Sequence, residues 1–150
     1  MNAALRDKAL QLLSYRAHSR RELRDKLQNK MSPSAEDMED VLDWLTDMHF
    51  LDDRTYAASV VRHCISKGYG VSRIIAELSR RGIDRAIREE ALQEMPETGD
   101  VLDRLIRGKL HDPEDRDEVR KVTASMMRRG YTHEEIRRAM ERLRAMEEYD

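Results

Sequence analysis

The chain has 150 residues, of which 39% are charged and 39% hydrophobic, and its net charge is −2 at pH 7. Charged residues make up about 25% of an ordinary globular domain, so this composition argues against one large buried core. Helix-favouring residues (Ala, Leu, Met, Glu, Lys, Arg and Gln) number 83, whereas strand-favouring residues number only 26. The composition therefore predicts an all-α protein and speaks against sandwiches, barrels and Rossmann folds.

Nothing in the sequence indicates an oxidising compartment or a membrane. The single cysteine, Cys64, cannot form a disulfide within the chain. Charged residues appear from Arg6 onwards, before an apolar leader could form, and there is no run of about 18 apolar residues. We expect a cytoplasmic protein without a membrane segment.

Apolar periodicity and capping signals predict nine helices in chain order. Capping boxes begin at Ser19 and Thr132, Asp53 stands where the fourth helix needs an N-cap, and Asp112 with Pro113 predicts the start of the eighth. The predicted ranges are 4–16, 19–30, 34–48, 53–67, 71–81, 84–95, 100–110, 113–129 and 133–148.

One apolar pattern occurs three times along the chain, and Gly82 and Gly130 end the second helix of its last two copies, as a left-handed helix terminus requires. The copies are Leu23, Leu27, Lys30, Met31, Val41, Leu42 and Leu45; Ile74, Leu78, Arg81, Gly82, Ala91, Leu92 and Met95; and Val122, Met126, Arg129, Gly130, Ala139, Met140 and Leu143. Such repeats predict three tandem three-helix units, 1–50, 51–97 and 98–150, stacked into an elongated or curved array.

Motifs typical of catalysis or metal binding are absent from the sequence. The sequence has no phosphate-binding loop, nucleophile elbow or zinc-ligand spacing. Asp52 and Asp53 are better explained by helix capping than by catalysis. We therefore expect no catalytic residues, no metal site and no cofactor. We expect the five histidines and the cysteine to lie at the surface or to be partly buried; they are His18, His49, His63, Cys64, His111 and His133.

Charge is distributed unevenly, with sums of +5, −7, +3, −4 and +1 over successive blocks of thirty residues. Solvated helix faces of opposite sign explain this alternation, and so does a charge-patterned docking surface. The 22 arginines outnumber the 6 lysines, which favours planar contacts with carboxylate or phosphate. Two binding functions follow: a protein that grips another protein assembly, or a helix-turn-helix-like DNA-binding protein, which the isoelectric point near 6.2 disfavours.

Three ordered motifs resemble the RecX family of recombination regulators. They are Arg16-x-His18-Ser19-x-x-Glu22-Leu23-x-x-Lys26-Leu27, then Phe50-Leu51-Asp52-Asp53-x-x-Tyr56-Ala57, then Gly68-Tyr69-Gly70-x-x-Arg73-Ile74-x-x-Glu77-Leu78-x-x-Arg81-Gly82-Ile83. Met31 and His49 occupy helix ends where the family commonly has glycine. Because methionine tolerates a left-handed backbone poorly, the turn after Met31 is expected to use Ser32 and Pro33.

The resemblance implies a regulator of the RecA recombinase, active in DNA repair, recombination and the SOS response, and the triple repeat predicts that it is a monomer. Family members are thought to lie in the helical groove of the RecA filament on single-stranded DNA and to inhibit strand exchange, ATP hydrolysis and coprotease activity. Weak, non-specific contact with DNA is compatible with this resemblance. The residues we expect to contact the partner are arginines of the second and third helices of each unit: Arg20, Arg21, Arg24, Arg73, Arg80, Arg137 and Arg138.

Overall fold

The computed structural model describes residues 1–149, and within that range it contains nine helices and no strands. The all-α prediction is confirmed, and each predicted helix has a counterpart. The helices are α1 (Ala3–Tyr15), α2 (Arg20–Met31), α3 (Ala35–Asp47), α4 (Asp53–Ser66), α5 (Val71–Arg80), α6 (Arg85–Gln93), α7 (Gly99–Lys109), α8 (Arg116–Arg128) and α9 (His133–Tyr149).

Both predicted capping boxes are present. The Ser19 hydroxyl accepts a hydrogen bond from the Glu22 amide at 3.0 Å, while the Glu22 carboxylate accepts one from the Ser19 amide at 3.1 Å. Thr132 and Glu135 make the same reciprocal pair at 3.1 and 3.0 Å. These bonds satisfy amides that the first helical turn leaves without partners, and so they fix where α2 and α9 begin.

One predicted capping residue and one predicted helix start are wrong. The residue that caps α4 is Asp52, whose carboxylate accepts from the Thr55 amide at 3.1 Å, and Asp53 is already helical. The helix α8 does not begin at Pro113. Asp112 instead accepts from the Glu114 amide in a local turn, and Asp115 becomes the N-cap. An aspartate followed by a proline favours a turn as well as a helix start, and Asp115 was the better-placed acceptor.

The helix ends follow the glycine pattern and its exceptions. Gly82 and Gly130 have φ values of +80° and +102°, as a left-handed terminus requires. In the first repeat the left-handed residue after α2 is Ser32, with φ +45°, so the expected departure at Met31 is confirmed. His49 adopts φ +63°, a conformation that histidine tolerates better than most residues.

Two apolar clusters hold the terminal groups of helices together. One joins α1, α2 and α3, and the other joins α7, α8 and α9. Repeat positions from each copy are fully buried, including Leu23, Leu27, Ile74, Leu78 and Met126, all 0% exposed. Three methionines are buried, Met38, Met126 and Met140, whereas Met146 is exposed.

The chain divides into two compact units, and the middle group of helices contributes to both. Unit 1 contains Met1–Val60 and Leu78–Gln93; unit 2 contains Val61–Glu77 and the chain from Glu94 onwards. Each unit therefore combines one terminal three-helix group with part of the middle group. We keep 1–50, 51–97 and 98–150 as the proposed bounds of the sequence repeats.

Truncating a repeat position should destabilise the protein to a similar degree in the first and second copies. Leu27→Ala and Leu78→Ala each remove a fully buried side chain and leave a cavity, so we expect each to lower the free energy of unfolding by about 2–4 kcal/mol. Chemical denaturation measures the loss. Midpoints that stay within error of the wild type for both variants would show that the repeat register is wrong.

Candidate functional site

The predicted arginines of the first repeat lie in unit 1, and two of them are bound to the acidic helix α3. Arg20 donates to Glu39 at 2.9 Å, to Asp43 at 2.7 Å and to Thr46 at 3.2 Å. Arg24 donates to the other oxygen of Glu39. Hydrogen bonds from Arg24 and Arg20 lower the pKa of Glu39. The two guanidinium groups thus form one cluster whose charge is partly neutralised within the protein.

Arg21 and Arg80 are also exposed residues of unit 1. The methylene groups of Arg21 cover Gly82, so that a Cβ atom at Gly82 would stand 2.6 Å from Arg21 Cδ. Within residues 1–149 the Arg21 guanidinium has no hydrogen-bond or ion-pair partner. Arg80 lies in the last turn of α5. Among the predicted residues, Arg21 is therefore the one whose charged end is most available to a partner.

The other three predicted arginines lie in unit 2. The Arg73 guanidinium lies 3.8 Å from the centre of the Tyr69 ring, in a cation–π contact. Arg137 and Arg138 both donate to Glu134, and the hydrogen bond from Arg137 is the main reason that the pKa of Glu134 falls to about 2. The seven arginines thus fall into separate local groups, and their contact with a partner stays a prediction.

Sequence reasoning missed a cluster of polar side chains that brings together the first two family motifs and the end of the third. We call it the polar junction; it lies in unit 1 and consists of Arg16, His18, Ser19, Glu22, Lys26, Tyr56 and Arg81. The Ser19 hydroxyl donates to the Arg81 carbonyl at 2.5 Å. This bond links the start of α2 to the turn that follows α5. The sequence shows the polar residues of these motifs, such as Glu22 and Lys26 beside the buried Leu23 and Leu27, but not that they meet residues of the other motifs.

Tyr56 lies at the centre of the polar junction and is 6% exposed. Its hydroxyl oxygen accepts from Arg81 at 2.8 Å and from Arg16 at 3.4 Å, and it is also hydrogen-bonded to Glu22. Burial, with the hydrogen bond to Glu22, raises the pKa of Tyr56. Because a buried hydroxyl needs a partner, these contacts fix α4 against the loop between α1 and α2.

His18 belongs to the polar junction and its side chain is only 3% exposed. Cys64 is 2% exposed. The expectation that these two residues lie at the surface or are partly buried is therefore wrong. His18 Nε2 lies 3.0 Å from Lys26 Nζ, and Nδ1 lies 3.0 Å from the Arg16 carbonyl. A lysine ammonium can only donate, so Nε2 accepts and Nδ1 carries the proton. Burial, together with the Arg16 and Lys26 charges, lowers the pKa of His18.

Protonation of His18 should destabilise the protein in mildly acidic solution. Because the pKa of His18 in the folded protein lies below the ordinary histidine value of 6.5, the unfolded chain binds a proton that the folded chain does not. The free energy of unfolding therefore falls as the pH drops below 6.5. We expect the melting temperature of the wild type to fall as the pH is lowered from about 7 to about 5, and we expect this fall to be smaller in His18→Gln. The matched control is His111→Gln, which replaces an exposed histidine. If the melting temperature of His18→Gln depends on pH as strongly as that of the wild type, the role assigned to His18 is wrong.

A related joint is present in unit 2. The Gly70 amide donates to the Arg129 carbonyl at 2.8 Å, and the Ser72 amide donates to the Gly130 carbonyl at 3.2 Å. Gly70 precedes Ile74 by four residues, as Ser19 precedes Leu23. In each unit, the start of one repeat's second helix thus contacts the arginine–glycine turn of the next repeat. The family motifs form this joint.

Two kinds of feature are not found among the described residues, a group of metal-ligating side chains and a membrane-spanning helix. Among residues 1–149, no group of three His, Cys, Asp or Glu side chains could hold a metal ion. Within the same range, no helix is both long and apolar enough to cross a membrane.

Family models and known proteins agree with the motifs. The models of the first, second and third three-helix domains of RecX match residues 6–45, 52–92 and 101–140. The regulatory protein RecX of Vibrio vulnificus is 33% identical over 138 residues, which is 90% of each chain. That of Salmonella heidelberg is 36% identical over 101 residues, and the match spans 61% of each chain.

Solved structures extend the agreement to the fold. The crystal structure of RecX from Lactobacillus salivarius superimposes with a TM-score of 0.83 at 25% identity, covering 95% of this chain and 96% of that one. A second crystal structure, of a regulatory protein RecX, gives a TM-score of 0.79 at 25% identity over 93% of this chain and 72% of the other. With three tandem three-helix domains matched in order along most of its length, the chain belongs to the RecX family of regulatory proteins.

Proposed function

We propose that this protein regulates a RecA recombinase by binding its filament on single-stranded DNA, in the helical groove, without catalysing a reaction itself. Bound there, it inhibits strand exchange, ATP hydrolysis and coprotease activity, and so acts in DNA repair, recombination and the SOS response in the cytoplasm. Membership of the RecX family carries this proposal. The protein acts as a monomer and needs no cofactor.

The placement of the arginines supports binding to a repetitive partner. Exposed arginines occur in all three sequence repeats, at Arg21, Arg73 and Arg138 among others. A filament presents the same surface at regular intervals, so several weak contacts by one chain add up to tight binding through effective concentration. A free protomer presents that surface once, and the second and third contacts are lost.

A helix-turn-helix-like DNA reader is the alternative function, and charge argues against it. The chain carries a net charge of −2, whereas DNA-binding domains show a basic footprint. We expect duplex DNA to bind weakly, without sequence preference and with strong salt dependence, as phosphate contacts alone would give. Selection from random duplexes that returned one tight site at physiological salt would favour the alternative.

The ATPase activity of assembled filaments tests the proposal. Added to RecA, ATP and single-stranded DNA, the protein should lower the hydrolysis rate at well under one molecule per protomer, because a bound chain also blocks filament growth. With free RecA protomers and no DNA, we expect little binding by sedimentation or fluorescence anisotropy. Hydrolysis that stays unchanged at an equimolar ratio would overturn the proposal.

A further inference from the structure

We infer that α3 and the turn that follows it carry a second docking surface, distinct from the arginines, that binds a cationic amphipathic segment of a partner protein. The surface consists of Trp44, Met48 and Phe50 together with the carboxylates of Asp40 and Asp47, and we call it the acidic-aromatic patch. All five residues belong to unit 1. The proposal goes beyond the proposed regulator function, for which we predict contacts by the arginines.

The apolar part of the patch is open to solvent. Met48 is 52% exposed and Phe50 is 50% exposed, while Trp44 is half-buried against the core of α1, α2 and α3. The Trp44 and Phe50 rings contact each other with centroids 6.1 Å apart. Tryptophan, phenylalanine and methionine are enriched in protein–protein interfaces, and a rigid, half-buried tryptophan is typical of residues that contribute most to binding.

The charge of α3 selects the partner. The helix contains six acidic residues and no basic one. Glu39 and Asp43 are paired with Arg20 and Arg24, but within residues 1–149 neither Asp40 nor Asp47 has a hydrogen-bond or ion-pair partner. These two carboxylates precede and follow Trp44 by four and three residues, and so lie on its face of the helix. A nucleic acid or an anionic membrane would be repelled, whereas lysine and arginine would be attracted.

An intramolecular contact shows what the patch can bind. The Arg6 guanidinium lies 5.9 Å from the centre of the Trp44 ring. The ring therefore already accepts a cation on part of its surface, by the attraction between a positive charge and the aromatic quadrupole. A partner helix with arginines beside an apolar stripe would repeat this contact at Trp44 and Phe50 and would pair its other cations with Asp40 and Asp47.

Trp44 is the only tryptophan of the chain, so its fluorescence reports binding at the patch directly. The probe is a synthetic helical peptide of about 18 residues with leucines at i, i+3, i+4 and i+7 spacing and arginines elsewhere. We expect a saturable change in emission with the full-length protein. A scrambled peptide of equal composition lacks the apolar stripe and should bind about tenfold more weakly, as should an analogue with glutamate for arginine.

Variants locate the binding. Phe50→Ala should weaken the peptide about tenfold, and Asp40→Asn with Asp47→Asn should weaken it several-fold at low salt and less at high salt. The matched controls are Met127→Ala and Glu147→Gln with Glu148→Gln, which remove an exposed apolar side chain and two exposed carboxylates elsewhere; both should leave affinity unchanged.

Three outcomes would overturn the inference. They are no saturable response in the wild type, equal binding of the ordered and scrambled peptides, and affinities that are unchanged in both patch variants. The aspartate variant alters only exposed side chains without partners, so it keeps its fold even if Phe50→Ala does not. Because the assay contains no recombinase, its result is independent of whether the filament is inhibited.

Discussion

Gly130→Ala should lower the free energy of unfolding by about 3–5 kcal/mol, through strain and crowding together. Gly130 has φ +102°, which a residue with a side chain rarely adopts. A Cβ atom there would stand 2.5 Å from Arg73 Cβ and 2.6 Å from the Arg73 backbone nitrogen. Because a backbone atom cannot turn aside as a flexible side chain can, the joint in unit 2 must open to make room.

Two other alanine substitutions separate the causes. Gly70→Ala tests crowding alone, because the φ of Gly70 is not positive. A Cβ atom at Gly70 would stand 2.5 Å from the carbonyl carbon of Gly130. We expect this variant to lower the free energy of unfolding by about 2–4 kcal/mol. Gly108 lies within α7 with nothing within 4 Å of a Cβ, so Gly108→Ala should stabilise by about 0.5–1 kcal/mol. Equal stabilities of the wild type and Gly130→Ala in chemical denaturation would contradict the joint.

The helices were predictable because their signals are local. Apolar spacing, two capping boxes and two glycine ends act within a few residues of each other, and each correctly predicted a helix or its boundary. The errors at Asp53 and Asp112 have one cause. Several aspartates near a helix start could each accept the same amides, and only the backbone geometry decides which one does.

The polar junction was not predictable in the same way, because its members come from three separate segments. Ser19 and Arg81 are 62 positions apart, and Arg16 and Tyr56 are 40 apart. Periodicity indicates which side of a helix is apolar but not which polar residue of another helix it meets. The motifs that carried the family resemblance are thus explained by packing, since His18, Glu22 and Tyr56 hold the joint between repeats.

The ion pairs of Arg20 and Arg24 decide which substitutions can test whether these arginines contact the partner. Reversing the charge of Arg20 and Arg24 would place carboxylates beside Glu39 and Asp43, so a loss of activity could come from local repulsion. Neutral substitutions avoid this. Exposed ion pairs contribute little to stability, and Arg20→Gln with Arg24→Gln should therefore fold normally.

If these arginines contact the filament, Arg20→Gln with Arg24→Gln should raise the concentration for half-inhibition of ATP hydrolysis about tenfold. Glu39→Gln with Asp43→Asn is the matched control, because it removes the two carboxylate charges of the same ion pairs and keeps both guanidinium groups. Inhibition by the control should be retained or strengthened, since the carboxylate charges that partly neutralise the two arginines are gone. Equal weakening by both variants would mean that the ion pairs act only on the fold, and a fully active arginine variant would move the contact to Arg21 or to another repeat.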